Sequence, residues 1–233
     1  MIINTISPGD VPDYQKVLQG LLPGASLSFQ SIPGCNGMQL LLIDPGFDPR
    51  NLSQSQIEQL SDDPPYWIFC WASGRALAQR ISQDKLNVKD RVVVDFGSGS
   101  GVVAIAAKLA GARRVYACDV DSTCCELIRI NAEFNQTEIV IVRSLEEILE
   151  GIDLMLAADV LYEKKNLQYL DHMLGACDNV VLADSRLKTM PDERFQQFDT
   201  VFTTSYPDYQ EAKANNEVKL YCSGKATVEL SIK

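Results

Sequence analysis

With 233 residues, 46% of them hydrophobic and 22% charged, the chain has the make-up of an ordinary globular protein, which excludes the disordered, collagenous and coiled-coil classes. Its length suits one α/β domain with an N-terminal extension and leaves little room for two full domains. With 21 basic and 31 acidic residues the formal charge is −10; this argues against the broad phosphate-binding surface of a nucleic-acid binder and suits a basic or lysine-bearing partner, with acidity for solubility alone as the competing explanation.

Met1 to Pro12 carries no basic segment followed by a long apolar run, and no stretch approaches the roughly 18 apolar residues that span a bilayer, so a cytoplasmic protein without a membrane segment is expected. Residues 1–60 hold many of the prolines and glycines, one clear strand at Met38 to Ile43, and a polar helix at Ser53 to Leu60 with Ser53 as its cap. They are expected to pack as a lid or substrate-facing extension beside a main domain spanning residues 61–233. Seven cysteines (Cys35, Cys70, Cys118, Cys124, Cys125, Cys177, Cys222) are odd in number and form no C-x-x-C pair. Neither a disulfide framework nor a metal site is expected, and the thiols read as reduced and mostly buried.

From Arg91 onward short apolar runs alternate with helix-like stretches, the pattern of βαβ units and a doubly wound, mostly parallel sheet of seven strands. Strands are predicted at Arg91 to Phe96, Arg114 to Cys118, Glu138 to Val142, Asp153 to Ala157 and Asn179 to Ala183. Late runs at Thr200 to Thr204 and Val218 to Tyr221 read as an antiparallel pair closing the sheet. A helix rich in small residues spans Val102 to Leu109, and another runs from about Thr123 to Phe134, where Thr123 and Glu126 have capping-box spacing.

Between the first of these strands and its helix stands Asp95-Phe96-Gly97-Ser98-Gly99-Ser100-Gly101, whose glycines permit a tight turn and close approach of a ligand to the backbone. A dinucleotide fingerprint would place its third glycine at position 102, which is Val102, so NAD and FAD are disfavoured. The acid two residues before Gly97 suits the ammonium group of an amino acid, which S-adenosylmethionine carries. Asp119 ends the next strand 18 residues after Gly101, close to the spacing at which a carboxylate meets a ribose diol; the competing assignment is a helix cap shared with Asp121. Ala158-Asp159-Val160-Leu161-Tyr162-Glu163 follows the fourth strand, which right-handed crossovers set beside the first, so Asp159 is expected to face the glycine loop. Asp159 and Glu163 also suit a simple cap of the next helix.

Asp63-Pro64-Pro65-Tyr66 has the form of the D-P-P-Y motif of adenine amino-methyltransferases, but it follows the polar stretch Gln54 to Asp62 instead of ending a strand, and the acidic charge argues against DNA. Trp67 and Trp71 lie four apart, so on one helix they share a face, with core packing as their simplest role. The lone His172 excludes a His-dependent triad elsewhere and reads as structural or exposed.

From Met38 to Asp184 the chain resembles class I S-adenosylmethionine-dependent methyltransferases, and more narrowly the electron-transfer flavoprotein β-subunit lysine methyltransferases. The resemblance runs through Pro64-Pro65-Tyr66-Trp67, Trp71-x-x-Gly74-x-Ala76-Leu77, the glycine loop, Asp119 and Asp159-x-x-Tyr162. It implies a Rossmann-like fold, S-adenosylmethionine as cofactor, a protein substrate carrying a target lysine, a target pocket lined by Asp159 and Tyr162, and a cofactor bordered by Trp71. Asp95, Gly97, Ser98, Gly99, Gly101, Asp119 and Asp159, taken from the loop pattern and spacing above, are expected to complete the cofactor site. The family often has Trp-Pro-Gly-Gly where this chain has Trp71-Ala72-Ser73-Gly74, and Asp-Pro-Gly-Arg where it has Asp184-Ser185-Arg186. Where many methyltransferases place an acid near the adenine, this chain has Arg143-Ser144, so backbone groups at Ser144 are expected to meet that ring. Ribosomal-protein lysine methyltransferases share a similar loop; a ribosomal target, a small-molecule N-methyltransferase and a non-catalytic interaction protein on the same fold stand as alternatives.

Overall fold

The structure is a computed structural model that describes residues 10–48, 50, 52–62, 65–162, 164–208 and 216–223. Met1 to Gly9, the Asp63-Pro64 half of the proline motif, and Glu163 as a cap therefore lie outside the described residues.

Helix α1 (Asp10–Leu21) was not predicted. It tolerates Pro12 because the N–H groups of a helix's first turn have no intrahelical acceptor, so a missing one costs nothing there. Strand β1 (Leu27–Ser31), also unpredicted, pairs antiparallel with β2 (Gln39–Ile43), with Leu27 opposite Ile43 and Ser31 opposite Gln39. Helix α2 (Gln54–Asp62) starts where expected: Ser53 Oγ accepts from Gln56 N at 3.4 Å, and Gln56 Oε1 accepts from Ser53 N at 2.8 Å.

Trp67 and Trp71 do not share a helix face. Trp67 is buried in a 3₁₀ turn, Tyr66–Ile68, and Trp71 is the extended residue that precedes α3 (Ala72–Ser82). Between them Cys70 exchanges backbone hydrogen bonds of 2.9 and 2.8 Å with Tyr206, which holds the chain extended at that point. Trp67 is a core residue, meeting Tyr14 edge-on.

From here strands β3 (Val92–Phe96), β4 (Arg114–Cys118), β5 (Val140–Val142), β6 (Leu154–Ala158), β7 (Val180–Asp184), β8 (Phe195–Phe202) and β9 (Glu217–Ser223) form one sheet in the order β5-β4-β3-β6-β7-β9-β8. The five strands from β5 to β7 run parallel, and β9 pairs antiparallel with both β7 and β8. Helices α4 (Val102–Leu109), α5 (Ser122–Phe134) and α6 (Gln168–Ala176) connect them. Alternation along the strands sends Val93, Val115, Leu154, Leu156 and Val181 into the layer with α3 and α4, and Val92, Val94, Met155 and Leu182 into the layer with α6. The result is the doubly wound, Rossmann-like fold of class I methyltransferases. Among the described residues no helix is long and apolar enough to cross a membrane. All seven cysteines are free thiols, and all but Cys125 are buried. His172 is exposed on α6.

Helix α5 begins differently from the prediction. Its cap is Asp121, whose Oδ1 accepts from Thr123 N at 2.8 Å, so the Thr123–Glu126 capping box is not used. Asp121 is the residue with extended backbone directly before Ser122, the first residue of the helix, so its carboxylate reaches Thr123 N; Glu126 instead pairs with Arg129 at 2.7 Å.

The N-terminal hairpin is fastened to α5 by two carboxamides one turn apart. Asn135 Oδ1 accepts from Gln39 N at 3.0 Å and its Nδ2 donates to Gln39 O at 2.6 Å; Asn131 Oδ1 accepts from Leu41 N at 2.7 Å while its Nδ2 donates to Ser100 O at 2.9 Å. The edge of β2 is thus satisfied by side chains in place of a further strand. Asn131 is 0% exposed. Replacing it with Ala strands a buried N–H and a buried carbonyl together, and we expect Asn131→Ala to lower unfolding free energy by about 2–4 kcal/mol in denaturant titration. A loss below about 1 kcal/mol removes the bridge from its structural role.

Candidate active site

Strands β3 and β6 are neighbours, and the chain crosses to opposite sides of β3 before and after this point; in sheets of this kind ligands bind outside the carboxyl ends of the strands at such a reversal. The loop Gly97 to Gly101 stands there. Its three glycines have φ of 71°, 52° and 80°, all in the left-handed region. At Gly97 a Cβ would lie 2.7 Å from Val160 Cγ1, so the residue after Asp159 packs directly on the loop. At Gly99 a Cβ would meet nothing within 4 Å, which leaves the loop's outer face open.

The loop is held from several directions. Gly97 N and Ser98 N donate to Cys118 O at 2.9 and 3.2 Å, and Ser98 Oγ donates to Asp95 O at 2.8 Å. Asp119 Oδ2 accepts from Gly99 N at 2.8 Å and its Oδ1 accepts from Asp121 N at 3.0 Å. Asp119 is therefore a loop-bracing residue as well as the carboxylate at the end of β4; burial pushes its pKa up, and these backbone donors oppose the rise. Asp95 lies beneath the loop, 1% exposed, with Oδ2 accepting from Ala104 N in the first turn of α4 at 3.0 Å. Burial, partly offset by Ala104 N and Ser98, pushes its carboxyl up to about 7.

Ser144 is brought close to Asp119 by two contacts: Asp119 N donates to Val142 O at 3.1 Å, and an Arg143 guanidinium N donates to Val120 O at 2.7 Å. Ser144 caps a 3₁₀ turn, Leu145–Glu147, while Glu147 Oε1 accepts from Arg143 N and Ser144 N at 2.9 and 3.0 Å. Val120, 74% exposed beside Asp119, is an apolar surface at this mouth that carries no sequence signal beyond its position.

Asp159 lies at the end of β6 with φ of 51°, a left-handed conformation uncommon for a residue bearing a side chain. Its N–H donates to Ala183 O at 3.0 Å. Its Oδ1 accepts from Ser73 Oγ at 2.7 Å, Ser185 N at 3.1 Å and Ser185 Oγ at 3.0 Å. Neighbouring Asp184 is buried; its Oδ1 accepts from Arg186 N and Leu187 N at 2.7 Å each, and its Oδ2 takes no hydrogen bond. Burial and the like charge of Asp159 both raise the Asp184 pKa.

Aromatic rings lie on the segments next to this carboxylate and its donors. Tyr162 lies 5.6 Å from Tyr66 between centroids, Tyr66 lies 6.0 Å from Trp71, and Phe69 lies 5.2 Å from Trp71. Trp71 Nε1 donates to Tyr66 O at 2.8 Å, and the Arg186 guanidinium sits 5.7 Å above the Trp71 ring. The structure thus groups the predicted Trp71, Asp159 and Tyr162 at one mouth and the predicted Asp95, Asp119, Ser144 and loop residues beside it. Sequence alone passed over Asn131, and it showed Ser73, Ser185 and Arg186 only as departures from family motifs and Tyr66 only within the proline motif and the resemblance, none of them as a site residue.

Comparison with known proteins finds methyltransferases. The ribosomal protein L11 methyltransferase (PrmA) family matches residues 79–164. The electron-transfer flavoprotein β-subunit lysine methyltransferase of Homo sapiens is 34% identical over 116 residues, which are 48% of this chain and 44% of that protein. The ribosomal protein L11 methyltransferase of Acinetobacter baylyi is 49% identical over 51 residues, 22% of this chain and 17% of that protein. The matches span about half the length, or less, of these relatives. The crystal structure of TrmN from Thermus thermophilus superimposes with a TM-score of 0.50 at 21% identity, over 65% of this chain and 49% of that one, and shares the fold. The resemblance to class I methyltransferases therefore extends from motif to fold.

The buried Asp95 makes a pH prediction. Its folded pKa of about 7 exceeds the unfolded value of about 3.9, so the folded chain binds the proton more tightly between those limits and stability falls as pH rises through that window. Above it the cost is constant. Asp95→Asn keeps the acceptor for Ala104 N without the charge, so its stability relative to the parent is expected to rise between pH 4 and pH 8 by up to about 4 kcal/mol. Denaturant titrations at both pH values check it; a pH-independent difference contradicts the assignment.

Proposed function

We propose that this chain is an S-adenosylmethionine-dependent protein-lysine N-methyltransferase acting on the electron-transfer flavoprotein β subunit or a similar protein. The observation that carries this reading is the packing of Val160 on Gly97, which sets the Asp159 carboxylate and its aromatic walls against the glycine loop. The residues fit the cofactor: the open face at Gly99 admits a ligand against the backbone, Asp119 offers a carboxylate to a ribose diol, and Asp95 beneath the loop favours an ammonium group above it. Trp71, Ser98, Ser144 and exposed Val120 complete its surroundings. When bound, S-adenosylmethionine supplies a methyl group on a positively charged sulfur.

The chain's own task is then alignment and exclusion of water. A free lysine has a pKa near 10.4, so presenting it neutral at pH 7 costs roughly 3.4 units, or about 4.6 kcal/mol. An acceptor side chain laid over the exposed rings of Tyr66 and Tyr162 beside Trp71 would be desolvated there, which lowers that cost, and Arg186 above Trp71 adds a positive charge acting in the same direction. Asp159 alone would raise the amine's pKa, so its role is to orient the nitrogen through a hydrogen bond, not to act as a strong base.

Similarity to the electron-transfer flavoprotein β-subunit enzymes supports a protein acceptor, and the chain's charge of −10 suits a lysine-bearing surface. The similarity to ribosomal protein L11 enzymes at 49% covers only 51 residues and bears less on the substrate.

By calorimetry with S-adenosylmethionine, Asp119→Ala is expected to weaken binding about 100-fold. Asp159→Asn should bind within about threefold of the parent yet transfer methyl groups about 100-fold more slowly. Label from the cofactor should enter a protein band in lysate and the purified flavoprotein β subunit. Full activity of Asp159→Asn removes the pocket assignment, and label confined to small molecules removes the protein substrate.

A further inference from the structure

The proposed chemistry needs one carboxylate oxygen on the acceptor nitrogen, and the surroundings of Asp159 decide which one. Three donors converge on Oδ1: the Ser73 hydroxyl at 2.7 Å, the Ser185 backbone N–H at 3.1 Å and the Ser185 hydroxyl at 3.0 Å. They come from different elements, Ser73 from the first turn of α3 and Ser185 from the turn after β7. Ser73 is 0% exposed, so its hydroxyl is shut away from solvent and donates to Asp159 Oδ1. Among the described residues no donor reaches Asp159 Oδ2. The left-handed backbone at Asp159, with its N–H on Ala183 O, sets the carboxylate at this angle, and the serines keep it there.

The two serines also stand where this chain departs from the motifs it resembles. Trp-Pro-Gly-Gly has glycine where Ser73 stands, and Asp-Pro-Gly-Arg has no hydroxyl where Ser185 stands. Both departures add a hydroxyl, and both hydroxyls reach the same oxygen. Asp159 has three donors on one oxygen, whereas neighbouring Asp184 accepts two backbone N–H groups on Oδ1 and keeps a buried Oδ2 with no partner.

We propose that Ser73 and Ser185 are positioning residues that occupy Asp159 Oδ1 so that Oδ2 alone meets the acceptor amine. This rests on the reading of Asp159 as the residue facing the methyl acceptor. Held through one N–H on Oδ2, with its stem between Tyr66, Trp71 and Tyr162, the amine has its lone pair fixed in direction. Without the serines the carboxylate turns, and the amine binds in several orientations of which few react.

The test uses the full chain with Ser73→Ala, Ser185→Ala, the double variant and Ser185→Thr. Binding of S-adenosylhomocysteine by calorimetry should stay within about twofold of the parent in all four. With the flavoprotein β subunit as acceptor, kcat should fall about tenfold in each Ala single variant and about 100-fold in the double, while KM for the acceptor changes less than about threefold. Ser185→Thr, which keeps the hydroxyl, should recover most of the loss. A double variant that turns over within about twofold of the parent, with cofactor-product binding intact, overturns the proposal. A merely structural role would lower binding and kcat together and leave Ser185→Thr no better than Ser185→Ala.

A parent inactive on that acceptor would remove the substrate assignment and leave the clamp to a second measurement. N-acetyl-lysine amide is titrated in the presence of S-adenosylhomocysteine and followed by tryptophan fluorescence, Trp71 standing in the aromatic cluster. The parent should bind the amine, and the double variant about tenfold more weakly, because a free amine lacks the surface contacts that set KM for a protein acceptor. Equal binding, or none by the parent, overturns the proposal.

Discussion

A backbone turn with three left-handed residues in five cannot brace itself. Between Gly97 and Gly101 the loop makes one internal backbone hydrogen bond, Gly101 N to Ser98 O at 2.8 Å, and every other restraint comes from outside. Asp119 holds it from β4, Asn131 from α5, and the strand carbonyl of Cys118 from below. Asp95 fixes the helix that follows by accepting from Ala104 N, at the positive end of the α4 dipole. The rest of the site is arranged around this loop. Val160 occupies the space that only a glycine at position 97 leaves, and through it the direction of the Asp159 segment depends on the loop's geometry.

Four carboxylates then gather near the carboxyl ends of the parallel strands: Asp95, Asp119, Asp159 and Asp184. Two of them are fully buried, and burial raises the pKa of Asp95, Asp119 and Asp184 alike. In a chain that already carries a charge of −10, such a cluster is costly for folding and favourable for cationic guests. An amino-acid ammonium, a sulfonium and a lysine side chain are all of that kind. The destabilisation resident in the site is offset when positive charge arrives, so the same electrostatics that weakens the fold also contributes binding energy.

Much of this was legible in the sequence where local pattern and tertiary role coincide. The five parallel strands and α4 fall within one or two residues of their predicted limits, because Val-rich runs alternate with small-residue helices and no competing pattern fits. The loop and Asp119 were legible from spacing, since a strand and a helix of fixed length set where a carboxylate can stand. Less legible were features whose signal lies in partners distant in the chain. Strand β1 is only half-buried and owes its existence to β2. The Thr123–Glu126 spacing fits a capping box, but the helix starts one residue earlier, at Ser122, and gives the cap to Asp121. Trp67 and Trp71 have helical spacing, yet a bridge from Cys70 to Tyr206 straightens the chain between them. Ser73 and Ser185 lie 112 positions apart and have no signature of their own, since a serine in a helix or a turn is unremarkable until its acceptor is known.

The same distance in sequence explains why the segment before the sheet cannot be regarded as decoration on a finished domain. Tyr66, Trp71 and Ser73 all precede β3, yet they supply the rings and one of the donors around Asp159, which follows β6. Further back, β2 reaches the glycine loop through the buried Asn131, whose two ends hold Leu41 and Ser100. Helix α3 lies closely against α4, where a Cβ on Gly74 would come within 3.0 Å of Val102 Cγ1, so a shift of the early segment is felt at the loop's first helical residue. The glycine loop and the Asp159 segment are therefore joined twice, once through Val160 on Gly97 and once through the segments before β3. A substitution that loosens either connection changes how the loop and the Asp159 carboxylate face each other.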